Sequence, residues 1–575
     1  MIRDFHLGTR DLPREMVRIP RRMSALRTPG FLPRGRDESS RSRTRLVFVL
    51  ATVWLVSGCS VEQYRKKADE EAYSIIRQKS SRVPGVGAGF RVEPEKPVHP
   101  TVEPGKEPLR MSLADALSIA LENSREFQST REDVFIQALA LSDERHLWKG
   151  RWNGVLSGLW QKDMATDERS AEGSAGFSLS QAFATGARAT LGLSSNFLKF
   201  LSNDPRTSAA SAIELSIVQP LWRGAGQLAA QEQLTQAERD MIYRLRSFVE
   251  FRRALSVSIA TDFYAILQQW DIVENERTNM TNLSTARERA EMLAKAGRLP
   301  DFQVGQAEQD ELRARDRWLR AVQTYENLLD NFKIALSLPV DTAIALDPEE
   351  MARLKSTGLA DVKHTREEFV QLALTHRLDL ANASDAVEDA RRKVEVAKNQ
   401  LAPDVTLALG SAIGTEPPAK PLKFTADRNG RSVGLEVGLP TDRHQEQNAY
   451  RLALINADRS SRDRDELRDR IIQQVHASWR KLEEARQSCE IQRRSVALAE
   501  RQVESTSLML DAGRADMRDL LDAQSALLEA RNMLTRTLVD YRIATLEMLR
   551  NTGLLAFRDG QLTEEIPNVE TGKAH

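Results

Sequence analysis

The sequence predicts a mainly α-helical protein with a β portion, internally duplicated, in which a long hollow helical bundle carries β hairpins at one end. Three observations support this fold class. First, residues 293–338 and 509–554 align without a gap at an offset of 216, sharing Ala296-Gly297-Arg298 with Ala512-Gly513-Arg514. A second stretch aligns at offset 220, where Pro220, Arg223 and Ala237-Glu238-Arg239 match Pro440, Arg443 and Ala457-Asp458-Arg459. A period this long describes a duplicated half rather than a solenoid unit. Second, segments upstream of Pro220 and Pro440 alternate at period 2. Third, beyond those prolines the period changes to spacings of 3 and 4, the seam of a coiled coil.

At the N-terminus, Leu46–Val56 is apolar, follows Arg41, Arg43 and Arg45, and runs into Ser57-Gly58-Cys59. It is shorter than the ~18–20 apolar residues of a membrane-spanning helix and has the layout of a secretory signal. A Cys at the end of that layout is similar to a bacterial lipobox, which makes residues 1–58 a lipoprotein signal peptide and Cys59 the lipidated first residue. Ser60 after it, rather than Asp, fits sorting to the outer membrane. Met23 is an alternative start. Residues 1–58 hold 12 Arg and 5 acids, so their removal turns 82 basic and 82 acidic residues into 70 and 77, a net charge of −7. An acidic body argues against nucleic acid as partner. With Cys59 acylated, Cys489 is the sole free thiol, which leaves no disulfide framework or Cys-based metal site.

Residues 59–111 form the anchored segment: a short polar helix over residues 60–82, then an extended tether with Pro84, Pro94, Pro97, Pro100, Pro104 and Pro108. Its Gly85–Gly89 run lacks the spacing and the following Lys-Ser/Thr of a phosphate loop. The first repeat, residues 112–338, opens on Ser112 as N-cap of a helix over Leu113–Lys149. Four alternating segments follow (152–162, 173–182, 187–198 and 210–219), with Ile213, Leu215 and Ile217 opposed to Glu214 and Ser216. The long helix then runs from Gln227 to Ala296, about 100 Å at ~1.5 Å per residue, and Phe302–Leu338 returns at about half that length.

Residues 339–365, with Pro339 and Pro348, connect to the second repeat, residues 366–553. That repeat has a helix over Arg366–Leu401, two alternating segments within Asp404–Leu439, a long helix from Gln445 to Ala512 and a half-length helix over Met517–Thr552. Residues 554–575 form a tail. Two half-length helices stacked end to end match one long helix, with residues 339–365 and the tail at the junctions. The strands, apolar on one face and small or polar on the other, have the pattern of an outer-membrane barrel wall. A soluble sandwich alternates in the same way. Trp148, Trp152, Trp160 and Trp222, in or beside the first β region, favour the membrane reading as an interfacial girdle.

These features together resemble the outer-membrane efflux (TolC) family. The matching text is Ser112–Leu117 through Ala120-Leu121-Glu122-Asn123, Val218-Gln219-Pro220-Leu221, Ala402-Pro403-Asp404-Val405 and Asp519–Gln524. The resemblance covers residues 112 to about 553 and implies a homotrimer with four strands per subunit in one 12-stranded barrel, continued by a helical periplasmic tunnel. Physics supports an oligomer independently, because four strands leave open edges that lipid does not tolerate. The first β region departs from the pattern. Its four segments are either long bent strands or an extra hairpin.

Gly297-Arg298-Leu299 and Gly513-Arg514-Ala515 are helix-ending turns. The resemblance implies that these tips close the tunnel and dock a periplasmic adaptor, beyond which lies an inner-membrane transporter. It also implies that Asp519 and Asp522 line the tunnel mouth, where threefold symmetry would make a ring of six carboxylates that attracts cations. As bare residues they read equally as solvated helix-surface acids. The first repeat has Gln303 and Gln306 at those positions, and Ala515 stands where relatives often carry a tip-locking base.

No HExxH, GxSxG, Walker loop or dinucleotide fingerprint is present, so the sequence implies no enzyme, cofactor or metal. The expectation is a lipid-anchored outer-membrane exit duct of a tripartite efflux pump or type I secretion system. The alternative is a lipid-anchored periplasmic coiled-coil scaffold or adhesin without a pore. The cargo cannot be read from the chain.

Overall fold

The protein is described by a computed structural model, which covers residues 60–86, 90–92, 108–164, 169–200, 207–357, 364–415, 422–439, 441–558 and 561–564. The expected signal peptide, Cys59 and most of the Pro-rich tether lie outside the described residues. The chain divides into two units between Lys66 and Lys67, and the helices and sheet belong to the second. Helix α1 (Val61–Ser80) begins in the first unit. Then come β1 (Leu109–Met111), α2 (Leu113–Asn123), α3 (Arg125–Leu147), β2 (Arg151–Lys162), β3 (Arg169–Ala182), β4 (Arg188–Phe200), β5 (Thr207–Pro220), α4 (Gln227–Ala230), α5 (Glu232–Lys295) and α6 (Asp301–Ala335). A link of β6 (Ile344–Leu346) and α7 (Glu349–Thr357) leads to α8 (Arg366–His376), α9 (Leu378–Gln400), β7 (Asp404–Thr415), β8 (Phe424–Gly438), α10 (His444–Asp511), α11 (Met517–Asn551) and a terminal hairpin, β9 (Leu555–Arg558) and β10 (Gln561–Glu564).

The long helices pack as the stacking argument requires. Phe127, Val134, Ala138 and Leu141 of α3 bury against Ala237, Met241, Leu245 and Phe248 in the first half of α5. Ala307 and Ala314 of α6 bury against Leu283, Ala286 and Ala290 in its second half. Between them, Val257, Phe263, Tyr264 and Leu267 at mid-helix meet α2, Phe332, Leu336, Leu338, Ile344 and Leu346. The parallel pair β1–β6 and the link after α6 therefore sit at the equator.

Two expected helices are divided. Leu113–Lys149 breaks at Ser124, whose extended backbone (φ −58°, ψ 124°) ends α2 while its Oγ accepts from Phe127 N to cap α3. Arg366–Leu401 breaks at Arg377 (φ −72°, ψ 122°). At the second break the turn after α11 comes close. A Cβ on Gly553 would lie 2.9 Å from the His376 carbonyl oxygen, so the missing side chain is what lets the turn seat there.

The first β region forms an extra hairpin. All six long strands belong to one antiparallel sheet in the order β2-β3-β4-β5-β7-β8, so the chain carries six strands where the resemblance implies four.

Candidate functional site

Register gives the sheet two different faces. On one, Trp152, Leu156 and Trp160 of β2 stand opposite Leu179, Ala175 and Ala171 of β3. The row continues through Leu191 and Leu193 to Leu215 and Ile213, then to Ile413, with Leu409 and Leu407 beside Val433 and Leu435 at the far edge. None of these side chains is buried although all are apolar: Leu156 and Val433 are each 77% exposed. An apolar surface spanning six strands marks a face that lipid or another protein covers. Trp152 lies near the helix end of β2 and Trp160 eight residues further, roughly 26 Å along the strand. Tilted by ~40°, that separation spans about 20 Å of height, most of an apolar band ~25 Å tall.

The opposite face is small or polar. It carries Asn153, Ser157, Ser174, Ser178, Gly192, Ser194, Asn196, Gly410 and Ser432, with three carboxylates, Glu172, Glu214 and Glu436. Apolar groups there are few: Val155 and Leu159 on β2, Leu198 on β4 and Val218 on β5. Glu172 is a member that sequence reasoning did not single out; its parity with Ser174 and Ser178 is the signal that marks it. No helix among the described residues is long and apolar enough to cross a membrane.

At the other end of the long helices the two tips share one geometry. Gly297 (φ 70°) donates to Ala294 O at 2.9 Å while Arg298 N donates to Leu293 O at 2.9 Å. Gly513 (φ 68°) donates to Leu510 O at 3.0 Å and Arg514 N to Met509 O at 2.8 Å. Both are Schellman caps, in which the left-handed residue is glycine because a Cβ there is costly. Arg298 and Arg514 are exposed, whereas Leu299 and Ala515 tuck against a common cluster with Leu510, Met517, Leu520 and Leu521. An Arg289–Asp511 ion pair also joins the hairpins. Met292, Phe302, Leu508 and Met509 ring the tip, all at least half exposed.

Asp519 and Asp522 lie on one exposed side of the first turns of α11. Asp519 has a structural duty beyond the expected one: its Oδ2 accepts from Asp516 N at 2.9 Å, completing a capping box. Asp522 makes a loose contact with Arg518, 3.8 Å away and largely solvated. Gln303 and Gln306 occupy the corresponding positions at the start of α6. Among the described residues no group of His, Cys, Asp and Glu is arranged to hold a metal ion.

A further polar site joins the two repeats. Asp389 of α9, 4% exposed, receives Arg239 Nε at 2.6 Å, Arg392 Nη1 at 2.8 Å and the Tyr243 hydroxyl at 2.6 Å. Burial first, and the bond to Asp389 next, push the Tyr243 hydroxyl above its ordinary range. Arg392 also holds Glu232 at 2.6 Å. This network fixes α9 on the first half of α5.

A β wall with an apolar face, standing on helices of this length, defines a class, the TolC-like outer-membrane channel fold. Residues 369–553, essentially the second repeat, match the outer membrane efflux protein family. The fold is similar to that of CusC (TM-score 0.57, 13% identity, 82% of this chain and 99% of that one). It is also similar to the outer membrane protein VceC of Vibrio cholerae (TM-score 0.56, 14% identity, 77% and 96%) and to the CmeC outer membrane channel of Campylobacter jejuni (TM-score 0.57, 11% identity, 77% and 85%). No curated protein matches the chain by sequence.

Proposed function

We propose that three copies of this chain form an outer-membrane exit duct, the passive channel of a tripartite efflux pump or type I secretion system. It is anchored by lipid on Cys59, and its helical tips meet a periplasmic adaptor and, through it, an inner-membrane transporter. One observation carries the reading: apolar side chains on one face recur across all six strands of a sheet whose two edge strands pair with no other strand among the described residues. Lipid tolerates no unpaired strand edge, so such a sheet enters a membrane only as part of a closed barrel. The efflux family of the second repeat supports the cargo-conducting role. The scaffold alternative leaves the apolar face unexplained.

Conductance in planar bilayers tests it. The duct reading expects ion-conducting trimers, and the scaffold expects sealed membranes. Asp519 and Asp522 are assigned to the tunnel entrance, where their carboxylates favour cations. Because Asp519 also caps α11, its Ala variant would cost about 1 kcal/mol of helix stability and confuse the result. Asp519→Asn/Asp522→Asn keeps the cap and deletes the charge. The expected outcome is a clear loss of cation selectivity, and unchanged selectivity returns both acids to ordinary helix surface. Docking is assigned to Gly297, Arg298 and Leu299 and to Gly513, Arg514 and Ala515, beside the exposed Met292, Phe302, Leu508 and Met509. Cysteines at Arg298 and Arg514 should cross-link to the adaptor, and silence at both would remove the docking role.

A further inference from the structure

The geometry points to a barrel of 18 strands, in which each chain adds six strands and seals edge β8 against edge β2 of a second copy. This rests on the three-copy reading above and extends it to the size of the wall and to the surfaces that close it.

The added hairpin β2–β3 is as fully integrated as the rest of the sheet. All twelve residues of β2 pair with β3 from Arg151↔Ser180 to Lys162↔Arg169, and all but one residue of β3 pair with β4 from Ser170↔Phe200 to Ala182↔Arg188. A hairpin folded aside as a lid would lose this ladder. Its faces also agree with the wall: Trp152, Leu156, Trp160 and Phe177 continue the apolar side, while Ser174, Ser178 and Glu172 continue the polar one.

The turn that returns β3 to β4 is fitted to the neck of the sheet. Phe183 N donates to Ala187 O at 2.9 Å, Gly226 N to Thr185 O at 3.1 Å, and Thr185 Oγ1 to Gln219 Oε1 at 3.0 Å. A Cβ at Gly186 would sit 2.7 Å from the Gly224 carbonyl oxygen. Each copy has four strand-to-helix junctions, α3–β2, β5–α4, α9–β7 and β8–α10, and this fifth periplasmic turn runs from strand to strand with no helix of its own. It therefore widens the rim without adding a helix to the tunnel.

The two edges are complementary. Strand β2 leaves the neck and β8 returns to it, so side by side in neighbouring copies they are antiparallel, with comparable lengths of 12 and 15 residues. Six strands are below the ~8 that the smallest barrels need, and each unpaired backbone group in lipid costs several kcal/mol. Three copies close 18 strands, an even number within the known range. At ~4.8 Å between strands and ~40° of tilt the wall radius is about 18 Å, against about 12 Å for 12 strands.

The test uses the full-length protein in lipid vesicles, with Cys489 replaced by Ala. One cysteine goes on β2 (Val155 or Ser157) and one on β8 (Ser432 or Gly434), all on the polar face, and a short bis-maleimide joins them. The expected result is a covalent ladder up to the trimer for at least one pair, with no ladder when the β2 cysteine is moved to Ser194 of β4. Ladders from β8 to β4 but not to β2 would reduce the count to four strands per copy. Native mass giving two copies would reduce the barrel to 12 strands. Either result overturns the 18-stranded wall yet leaves a conducting duct standing, whereas a monomer without conductance overturns both.

Discussion

The two long helices descend from one duplicated unit, yet they lead different lives. In the first half of α5, Ala237, Met241, Leu245, Phe248 and Val249 are buried, and 19 of its 64 residues are buried in all. In α10 none of the residues from His444 to Arg470 is buried, and 8 of 68 are buried in all. Helix α5 lies between α3 on one flank and α9 on the other, so its interior is complete within one chain. The first half of α10 packs on α9 and, among the described residues, is left bare on its other flank. The difference is positional: α5 is central in the chain's arc, whereas α10 stands directly below the edge strand β8. Its bare flank is rich in paired charges such as Arg464 with Asp465 and Arg470 with Glu466, and the three-copy assembly proposed above would seat a neighbouring copy there.

The strongest way to break this comparison is at the buried polar network. Removing Asp389 takes from Arg239 and Arg392 their shared buried partner, leaving Glu388 and Asp385 to the first and Glu232 to the second. Because both guanidinium groups keep some access to water, the expected loss is about 2–3 kcal/mol rather than the full cost of an isolated buried charge. The position equivalent to Arg239 is Arg459, which is exposed, and Arg459→Ala should change monomer stability by less than about 0.5 kcal/mol. Denaturant unfolding followed by circular dichroism measures both. Equal effects would mean that α10 is already covered within its own chain.

How much of this is legible in the sequence depends on how local each feature is. The Gly297 and Gly513 turns, the long helices and the strand faces follow from periodicity and from an offset that repeats cap residues, all readable within a few turns of chain. The breaks at Ser124 and Arg377 carry no Pro or Gly. Ser124 is itself a helix-start residue that caps α3, whereas the break at Arg377 falls where the turn after α11 seats against His376, a tertiary cause with no local mark. Four alternating segments in the first β region are visible, but alternation specifies a face and not a partner, so the extra hairpin needs the sheet itself. The Asp389 network joins residues about 150 positions apart and is out of reach. The Asp516–Asp519 capping box is within reach, since an acid three residues after an Asp is a helix-start pattern.

The same duplication gives a finer contrast at the ends of α6 and α11. Offset 216 relates Ser337 to Gly553, and both hold positive φ, 55° and 75°. Gly553→Ala would strain the backbone and push a Cβ into the His376 carbonyl, an expected loss of about 2 kcal/mol. Ser337→Gly removes a left-handed penalty and should gain about 0.5–1 kcal/mol once the added chain entropy of glycine is subtracted. A shift in the unfolding midpoint of opposite sign for the two variants is the outcome that counts.

The smallest expected effect concerns acid. Burial alone would raise the Glu238 carboxyl, but hydrogen bonds from Lys79 and Arg145 outweigh it and hold the group below its ordinary range. Lys79, on α1, is buried and ion-paired with Glu238, and Arg145 Nη2 on α3 lies 2.6 Å from the same carboxylate. A carboxyl with a lowered folded value adds stability at pH above its unfolded value, and that stability fades as pH falls below about 4. Glu238→Gln should therefore cost up to about 1 kcal/mol at neutral pH and flatten the acid limb of stability against pH. Asp458, its counterpart at offset 220, is exposed on α10, and Asp458→Asn should change stability by less than about 0.5 kcal/mol. If the two variants behave alike, α1 is not held to the first repeat by this clamp, and the apolar contacts of Ala72, Ile75 and Ile76 carry the docking alone.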